Sequence, residues 1–394
     1  MTNEVLQKIA SDEQNISSSN GLEPKLRFKE FDGKWSRNIL GNCCDIIMGQ
    51  SPDSSSYNNN CIGLPLVQGN ADMCERIATP QRYTSQPTKI CEAGSIILSV
   101  RAPVGTVGKT FQKICLGRGV CGITSKNIEF MYQYLLNNEN SWRHIEQGGT
   151  FTAINSDDIK SFPIILPSLP EQKKIADFLS LIDQRIEKQR QLVENLKKYK
   201  RGLLSAIFDR KLRFKDTDFS LWKNVRLSEC CLGFDNKRQP ISSELREKGT
   251  VPYYGANGIQ DYVKDYIFDG EYILLAEDGG HFDEFQTKPI AQYITGKSWV
   301  NNHAHILQAT EKDCTKYIYY ALVHKDIRKY INGSSRAKLN QEDMWQIVIL
   351  LPNLKQQIKI AQFMSSIDKI LSIEEKMLTV LEEKKQGLLQ QMFI

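Results

Sequence analysis

The chain of 394 residues is 41% hydrophobic and 25% charged, with a formal net charge of +5. This length predicts at least two domains, and no apolar run is long enough for a membrane span. Ten cysteines without a C-x-x-C pair, and a polar segment at residues 1–24 that lacks the apolar stretch of a secretion signal, favour a cytoplasmic protein with reduced thiols and no zinc site.

The first predicted domain, residues 25–166 (head one), has a mixed α/β pattern. Its apolar runs, such as "IILSV", are short and are bounded by Gly, Pro, Asn and Ser, which is typical of strands joined by turns. Polar loops such as "GQSPDSSSYNNN" and "QGGTFTAIN" carry groups that suit phosphate oxygens and base edges, although a solvated turn is the alternative for each residue. The candidate contact residues are Gln50, Ser51, Ser54, Tyr57, Gln68, Asn70, Arg101, Lys109, Arg118, Thr150 and Thr152.

Residues 167–210 predict a long amphipathic helix that begins at a proline. Apolar residues recur with a seven-residue period when Ile175 is placed at heptad position a and Phe178 at position d. The a column continues through Ile182, Gln189, Leu196 and Leu203, and the d column through Arg185, Leu192, Tyr199 and Ala206. A helix of this length cannot bury its apolar stripe against itself, so it needs a partner helix.

The second predicted domain, residues 211–351 (head two), again consists of short strands and polar loops. His303 and His305 lie two apart on one face of a predicted strand, but no third ligand is near them in sequence, so we predict no metal site. Loops such as "DNKRQP", "PYYGANG" and "NGSSRAKLN" supply the candidate contact residues. These are Lys237, Arg238, Tyr254, Asn257, Lys297, Asn301, Asn302, His303, Ser335, Arg336 and Lys338.

Residues 352–394 repeat the first helix after 185 positions, with 16 of 42 residues identical between 167–208 and 352–393. We therefore expect the two helices to pair antiparallel as a coiled coil, with a pseudo-twofold internal repeat and Ile394 close to Lys25. Gln189 and Glu374 share one a position, as a register device or a solvated defect. The predicted pairing residues are Ile175, Phe178, Ile182, Leu196, Leu203, Ile360, Phe363, Ile367, Leu381 and Leu388.

Two segments approach a phosphate-binding loop without matching it. "PVGTVGKT" and "AQYITGKS" end like G-x-x-x-x-G-K-[ST], but Pro103 and Ala291 replace the first glycine. The chain also lacks a glycine-rich S-adenosylmethionine loop, the Asn-Pro-Pro-aromatic methyltransferase motif, a nucleophile elbow and H-E-x-x-H. The sequence therefore predicts a chain without catalytic residues of its own.

The duplicated "LPSLPEQKKIADFLSLID" and "LPNLKQQIKIAQFMSSID" resemble the specificity subunits of type I restriction–modification enzymes, over residues from about 25 to 394. The resemblance implies an α+β fold in which two target-recognition domains are separated by two long antiparallel helices. It implies that each head reads half of a split site in double-stranded DNA and that the helices bind two methyltransferase subunits and allow restriction subunits to join. It places S-adenosylmethionine in the methyltransferase partner, ATP and magnesium in the restriction partner, and no cofactor in this chain.

Two other functions are compatible with the sequence alone. One is a coiled-coil scaffold whose heads bind protein, and the other is a nucleotide-dependent enzyme that uses the two incomplete loops. Charge favours DNA, because residues 184–215 hold 11 Lys or Arg against 3 Asp or Glu, whereas residues 352–394 hold 6 against 5. A solvated helix face explains the same excess, so the pattern supports DNA binding without requiring it.

Overall fold

The computed structural model describes residues 23–146, 153–212, 222–333 and 337–394. These residues form two compact units. Unit one extends to Lys188 and also includes Leu378–Ile394, and unit two is Gln189–Met377. The division lies inside both long helices, so each unit combines one head with part of each helix. Thr150, Thr152, Ser335 and Arg336 lie outside the described residues.

The described residues of unit one form thirteen short strands and four short helices. The strands are β1 Ser36–Ile39, β2 Cys44–Met48, β3 Tyr57–Asn58, β4 Leu64–Val67, β5 Met73–Cys74, β6 Ile77–Ala78, β7 Tyr83–Thr84, β8 Ile90–Cys91, β9 Ile96–Ser99, β10 Val107–Lys109, β11 Ile114–Leu116, β12 Val120–Ser125 and β13 Pro163–Leu166. The helices are α1 Leu40–Cys43, α2 Ile128–Asn137, α3 Glu139–Glu146 and α4 Ser156–Lys160, and the long helix α5 spans Leu169–Phe208.

Head one is built from two sheets that lie on a shared core. The larger sheet has the order β2-β12-β9-β10-β6-β5, and the second has the order β3-β7-β4-β11-β8. Most pairs are antiparallel, and the parallel ones are β6 with β10 and β4 with β11. All four residues of β9 are buried, as expected for a central strand that is covered on both faces. A two-stranded pair, β1 with β13, leads into helix α5.

In unit two, the part of the chain that the structure describes forms ten strands and three short helices. The strands are β14 Lys223–Arg226, β15 Cys231–Gly233, β16 Lys248–Gly255, β17 Gly258–Val263, β18 Phe268–Ala276, β19 Ala291–Val300, β20 Ala304–Ala309, β21 Ile331–Asn332, β22 Lys338–Leu339 and β23 Val348–Leu351. The helices are α6 Leu227–Cys230, α7 Thr315–Leu322 and α8 Gln341–Trp345, and the second long helix, α9, spans Leu354–Met392.

Head two has one main sheet with the order β15-β20-β18-β19-β16-β17. The pair of β16 with β19 is parallel and the other pairs in this sheet are antiparallel. Strand β14 pairs with β23 just before helix α9, as β1 pairs with β13 before α5. Both heads therefore have the mixed α/β content expected from the sequence. No helix in the described ranges is long and apolar enough to cross a membrane.

The repeated residues of the two long helices make equivalent contacts in their own units. The side-chain amide of Gln172 donates to the carbonyl of Pro167 at 3.0 Å in unit one, and that of Gln357 donates to Pro352 at 2.9 Å in unit two. Ile175 joins the core of head one, and its counterpart Ile360 joins the core of head two. The repeat is therefore explained by two equivalent attachments of a head to a helix.

A crossed ion pair accompanies each attachment. In unit one, Asp183 accepts from Lys385 at 2.5 Å and from the amide of Gln133 at 2.7 Å. In unit two, Asp368 accepts from Lys200 at 2.6 Å and from the hydroxyl of Tyr320 at 2.5 Å. Because Lys200 and Lys385 are separated by the same 185 positions as the two aspartates, one contact is made twice with the helices exchanged.

The predicted a column faces inward, but the d column is wrong beyond Phe178 and Phe363. Leu192 and Tyr199 are 42% and 56% exposed, whereas Ile186 and Val193 are buried. The reason is that a straight helix has 3.6 residues per turn, so a strict seven-residue repeat rotates by about 20° per heptad. The predicted pairing residues are all buried or half-buried: Ile175, Phe178, Ile182, Leu196, Leu203, Ile360, Phe363, Ile367, Leu381 and Leu388.

The polar a position is a contact between the helices. The amide of Gln189 donates to the carboxylate of Glu374 at 2.6 Å and to its carbonyl oxygen at 3.0 Å within unit two. A direct hydrogen bond between the two side chains supports a role in register, because sliding one helix past the other would leave both groups without this partner.

The carboxyl terminus lies beside the start of head one, as predicted. In unit one the backbone N–H of Leu26 donates to the carbonyl of Gln391 at 2.9 Å, and the rings of Trp35 and Phe393 are 6.5 Å apart. Arg27 makes a two-pronged ion pair with the buried carboxylate of Glu171, with N–O distances of 2.7 and 2.8 Å. The first residues of head one are thereby attached to both helices.

Reversing one charge of the Asp183–Lys385 pair should destabilise the protein, and reversing the second charge as well should restore most of the stability. We expect Lys385→Asp to lower the free energy of unfolding by about 1–2 kcal/mol, because Asp183 loses a charge-assisted hydrogen bond and faces a second carboxylate. Adding Asp183→Lys should recover most of this loss, because the amide oxygen of Gln133, for which the described residues supply no hydrogen-bond donor, can accept from the new ammonium. Urea unfolding of the full chain measures both changes.

The matched control for this cycle is Lys384→Asp, which makes the same charge change at an exposed position of the same helix. It should alter the unfolding free energy by less than about 0.5 kcal/mol. A double variant no more stable than Lys385→Asp alone would contradict the proposed pairing energy.

Candidate nucleic-acid interface

Four chain segments of head one meet at one backbone junction. The N–H of Gly117 donates to the carbonyl of Val67 at 2.7 Å, the N–H of Val100 to Gly119 at 2.9 Å, and the N–H of Ile154 to Val100 at 3.0 Å. Glycine is required at position 119, because a Cβ there would lie 2.2 Å from the carbonyl oxygen of Gln68. We call this arrangement the head-one junction.

The head-one junction brings together five of the predicted contact residues. Arg118 is exposed between the two glycines, and its backbone N–H donates to the hydroxyl of Ser51 at 3.2 Å. The amide of Gln68 donates to the hydroxyl of Tyr57 at 3.1 Å, and the backbone N–H of Gln50 donates to the carbonyl of Leu116 at 2.9 Å, close to the Arg118 segment. The exposed side chains of Gln50 and Arg118 thus lie close to the half-buried Tyr57 and Gln68.

Arg101 extends the same surface, and three other candidates lie around or away from it. Arg101 is exposed and follows Val100, where it forms an antiparallel bridge with Ala153. Asn70 begins a short 3-10 turn one residue beyond Gly69, and Ser54 begins another. Lys109 is instead paired with Glu129 at 2.5 Å and lies 4.1 Å above the ring of Tyr132. These contacts attach Lys109 to helix α2, and its DNA contact remains a prediction.

Head two has the same backbone junction. The N–H of Asn301 donates to the carbonyl of Tyr254 at 3.0 Å, the N–H of Glu277 to His303 at 2.9 Å, and the N–H of Leu339 to Glu277 at 2.7 Å. Each bond has a counterpart in head one between equivalent segments. We call this arrangement the head-two junction.

Matching the two junctions pairs residues that sequence comparison could not align. Arg118 corresponds to Asn302, because each lies in the middle of a three-residue segment whose ends carry the equivalent hydrogen bonds. Arg101 corresponds to Asp278, because Arg101 bridges Ala153 as Asp278 bridges Lys338. The equivalent places therefore carry two arginines in head one and an amide and a carboxylate in head two.

The head-two junction borders a cleft of about 600 Å³. Its wall includes the turn between β16 and β17, the "DGG" segment after β18, and one residue of the closing loop. The lining residues are Ala256, Asn257, Gly258, Ile259, Gln260, Asp278, Gly279, Gly280, His303 and Ala337. A cleft this large and this rich in amides and backbone groups can take polar edges of a ligand.

Polar side chains around the cleft are held in place by one another. Asp278 lies 2.5 Å from Nδ1 of His303, and the amide of Asn257 donates to the carbonyl of Gly279 at 2.8 Å. Asn301, which is buried, donates from its amide to Gln260 at 3.1 Å. Because these bonds fix the orientation of the donors and acceptors, the surface is suited to reading hydrogen-bonding patterns.

A buried charge cluster supports the head-two junction from beneath. His305 is 1% exposed, with Nδ1 2.6 Å from Asp235 and Nε2 2.9 Å from the carbonyl of Leu339. Arg238 binds both Asp235 and Glu277, and Lys338 lies 3.1 Å from Glu277. The cluster thus connects the segment after β15 with the ends of β18, β20 and β22.

The charges of this cluster control the two carboxylates. Burial alone raises the pKa of Asp235, but the hydrogen bond and charge of His305, with the charge of Arg238, outweigh burial and leave that pKa lowered. Burial likewise raises the pKa of Glu277, and hydrogen bonds from Arg238 and Lys338 more than offset it, so the pKa of Glu277 is also lowered. Both groups therefore remain anionic near neutral pH.

Asp235, Glu277 and His305 have ligand atoms within 4.8 Å of one another, which is compatible with a metal site by distance alone. The chemistry of their partners does not fit a metal. Both ring nitrogens of His305 face oxygen acceptors, and Arg238 and Lys338 already neutralise the carboxylates. We interpret the cluster as a structural ion network, so the sequence-based prediction of no metal still stands.

The remaining predicted contact residues of head two differ in how many contacts their side chains make within the protein. Arg238 is committed to the ion network, and Lys338 is tied to it while remaining half exposed. Lys237 and Lys297 are exposed and lie 5.2 and 4.3 Å from the rings of Phe234 and Tyr266. Tyr254 is half-buried, and burial raises its pKa.

Sequence reasoning missed Asp278, Gln260 and the acidic members of the ion network. The signal available for Asp278 was the "EDGG" turn directly after the apolar strand β18, since a polar turn at a strand end often carries a site. No sequence signal pointed to Asp235, because its histidine partner, His305, lies 70 residues away along the chain.

The two incomplete phosphate-binding loops are strands in the structure. Val107–Lys109 is strand β10, and Ala291–Val300 is strand β19, in which Gly296 has φ of 75°. A phosphate-binding loop needs a glycine-rich turn that leads directly into a helix, whose N-terminus holds the phosphates. Neither segment has that context.

Comparison with known proteins places these features in a family. The family model for the type I restriction modification DNA specificity domain matches residues 33–197 and 220–383. The "Putative type I restriction enzyme MjaX specificity subunit" of Methanocaldococcus jannaschii is 38% identical over 197 residues, 48% of this chain and 46% of that protein. The chain therefore spans less than half the length of this relative.

Two further similarities extend over most of the chain. The "Type I restriction enzyme MjaIX specificity subunit" of the same organism is 22% identical over 351 residues, which is 80% of each protein. The crystal structure of a type I restriction-modification system S subunit from M. genitalium has the same fold, with a TM-score of 0.62 and 19% identity over 95% of this chain and 99% of that chain. Because the two matches of the family model cover well over half of its residues, the chain belongs to the type I restriction modification DNA specificity domain family.

Proposed function

We propose that the chain is the DNA sequence-specificity subunit of a type I restriction–modification complex and has no catalytic activity of its own. The observation that carries this proposal is the duplicated junction: one backbone arrangement occurs in both heads with different exposed side chains. Such a design suits two readers that bind the same kind of polymer but different sequences. Each head then recognises one half of a bipartite site in double-stranded DNA.

The two long helices are proposed to form an antiparallel coiled coil that relates the heads by a pseudo-twofold axis. The crossed pairs Asp183–Lys385 and Asp368–Lys200 support this arrangement, since each is the repeat counterpart of the other. Duplex DNA has local twofold symmetry, and paired readers commonly mirror it with two half-sites at fixed spacing. The helices would then set the number of base pairs between the half-sites.

We propose that the helix segments of each unit also bind one methyltransferase subunit, which gives two methyltransferase subunits per complex. Restriction subunits can then join this complex. In unit two, Leu192, Tyr199, Ile370 and Met377 are 40% or more exposed, and we call them the apolar flank. Ile370 and Met377 follow Asp368, which contacts head two, by about 200° and 180° around helix α9. Ile370 and Met377 therefore face away from the head, and a protein partner would cover them together with the exposed Leu192 and Tyr199.

The proposed subunit roles determine which subunit binds each cofactor. S-adenosylmethionine would be bound by the methyltransferase partner, ATP and magnesium by the restriction partner, and the complex would act on cytoplasmic DNA. The described residues of this chain would contribute recognition and assembly, through the two junctions and the apolar flank.

A methylation assay tests the proposed function directly. We expect the purified chain to transfer no methyl group from labelled S-adenosylmethionine, and to direct methylation to a bipartite site once its cognate methyltransferase subunit is added. DNA binding by the complex should weaken steeply with salt, because phosphate contacts release counterions. Methyl transfer by the chain alone, or binding without a salt dependence, would contradict the proposal.

Placing a charge on the apolar flank should separate assembly from folding. Leu192→Asp combined with Ile370→Asp should weaken binding of the methyltransferase subunit by at least about tenfold, because burying two unpaired carboxylates in the interface is unfavourable. Ser372→Asp, an exposed residue of α9 on another face, is the control and should bind normally. Equal binding by both variants, measured by titration calorimetry, would rule out the apolar flank as the docking surface.

Lengthening both helices should change the spacing that is read. Four residues inserted after Lys188 and four after Met377, at the boundaries of the units, add roughly 6 Å to the helix pair, or about two base pairs at 3.4 Å each. We expect both half-sequences unchanged and a spacer longer by one or two base pairs in methylation maps. An insertion in α5 alone is the control and should abolish activity. An active double insertion that keeps the original spacer would refute the proposal that helix length sets the spacing between the half-sites.

A further inference from the structure

The two junctions place one exposed side chain at an equivalent point in each head. Arg118 lies between Gly117 and Gly119, and Asn302 lies between Asn301 and His303. In both heads the first flanking residue donates its N–H to the parallel neighbour strand, and the third accepts at its carbonyl from the end of the central strand. The backbone of both residues is therefore fixed by the same pair of hydrogen bonds.

Both side chains are free to bind a ligand. Arg118 and Asn302 are exposed, and within the described part of the chain neither side chain has a hydrogen-bond or ion-pair partner. The contact of Arg238 with Asn302 is to the backbone carbonyl, at 3.4 Å, and this leaves the side-chain amide of Asn302 available. A fixed backbone that presents an unengaged polar group is suited to recognition, because little ordering of the chain is needed on binding.

The chemistry of the two groups differs in a way that matches two different bases. A guanidinium offers two parallel donors, which fit O6 and N7 of guanine in the major groove. A carboxamide offers one donor and one acceptor, which fit N7 and N6 of adenine. We propose that Arg118 reads a guanine in the half-site of head one and that Asn302 reads an adenine in the half-site of head two; this inference rests on the proposed function.

A phosphate contact explains this position less well than a base contact. Phosphate binding depends on positive charge, so a position used for it would be expected to carry a cation in both heads. Head two instead has a neutral amide there, next to Asp278 and His303. In head one the neighbours of Arg118 are Ser51 and the Gln68–Tyr57 pair, whose hydroxyl and amide groups also suit base edges.

Exchange of the two residues tests the inference. The full chain carrying Arg118→Asn or Asn302→Arg is combined with the cognate methyltransferase subunit, and methylated sites are mapped in a randomised DNA library. Arg118→Asn should change one guanine to adenine in the half-site of head one, and Asn302→Arg should change one adenine to guanine in the other half-site. The preference should shift by about 10- to 100-fold in each case, with the second half-site unchanged.

Two further variants separate the possible causes. Lys126→Asn removes an exposed cation at the far end of strand β12 from Gly119, roughly 20 Å away at 3.3 Å per residue, and should leave both half-sites unchanged. Arg118→Lys keeps the charge and can still donate to guanine but lacks the rigid planar pair of donors, so the guanine preference should weaken while overall binding falls little.

The outcomes distinguish this inference from the proposed function. A wild-type complex that methylates no bipartite site would overturn the proposed function and the inference together. A wild-type complex with a clear bipartite site, and an Arg118→Asn variant that weakens methylation of all sequences equally, would overturn the inference alone.

Discussion

The long helices impose the constraint on which the rest of the structure depends. Helix α5 has 40 residues, roughly 60 Å in length, and carries an apolar stripe that a single helix cannot bury. The stripe is covered by the other long helix and by a head. Asp183 and Asp368 are the points at which all three meet, since each carboxylate is bound by a lysine of the opposite helix and by a side chain of the head of its own unit.

This constraint explains why the two long helices of the repeat are alike in sequence while the two heads have diverged. A substitution at Ile175 or Asp183 would disturb a helix contact and a head contact at once, so the same residue types occur at 360 and 368. The exposed residues of the junctions carry no such double role. Arg118 and Asn302 can differ because the shared hydrogen bonds are made by the backbone of the residues on either side of them.

Head two adds a feature that makes its junction rigid. The ion network of Asp235, Arg238, Glu277, His305 and Lys338 connects four segments that are distant in sequence. Removing one member of a buried network leaves the others with unpaired charge, which is costly in a low-dielectric interior. The cleft above it therefore rests on a base that resists local rearrangement.

The sequence by itself determined the repeat, the two long helices, the residues of their a column and the polar character of the head loops, because helical periodicity and loop composition are local properties. Only the tertiary structure decided which loop residues share a surface. The bonds that join Val67, Gly117, Val100 and Ile154 connect segments far apart along the chain, and no local pattern encodes such pairing. The same holds for the inward face of the helices, where Ile186 and Val193 are buried in place of the predicted d column because the helix has 3.6 residues per turn. Arg238 shows the difference most plainly: its charge suggested a DNA contact, and through-space partners made it part of a buried ion network.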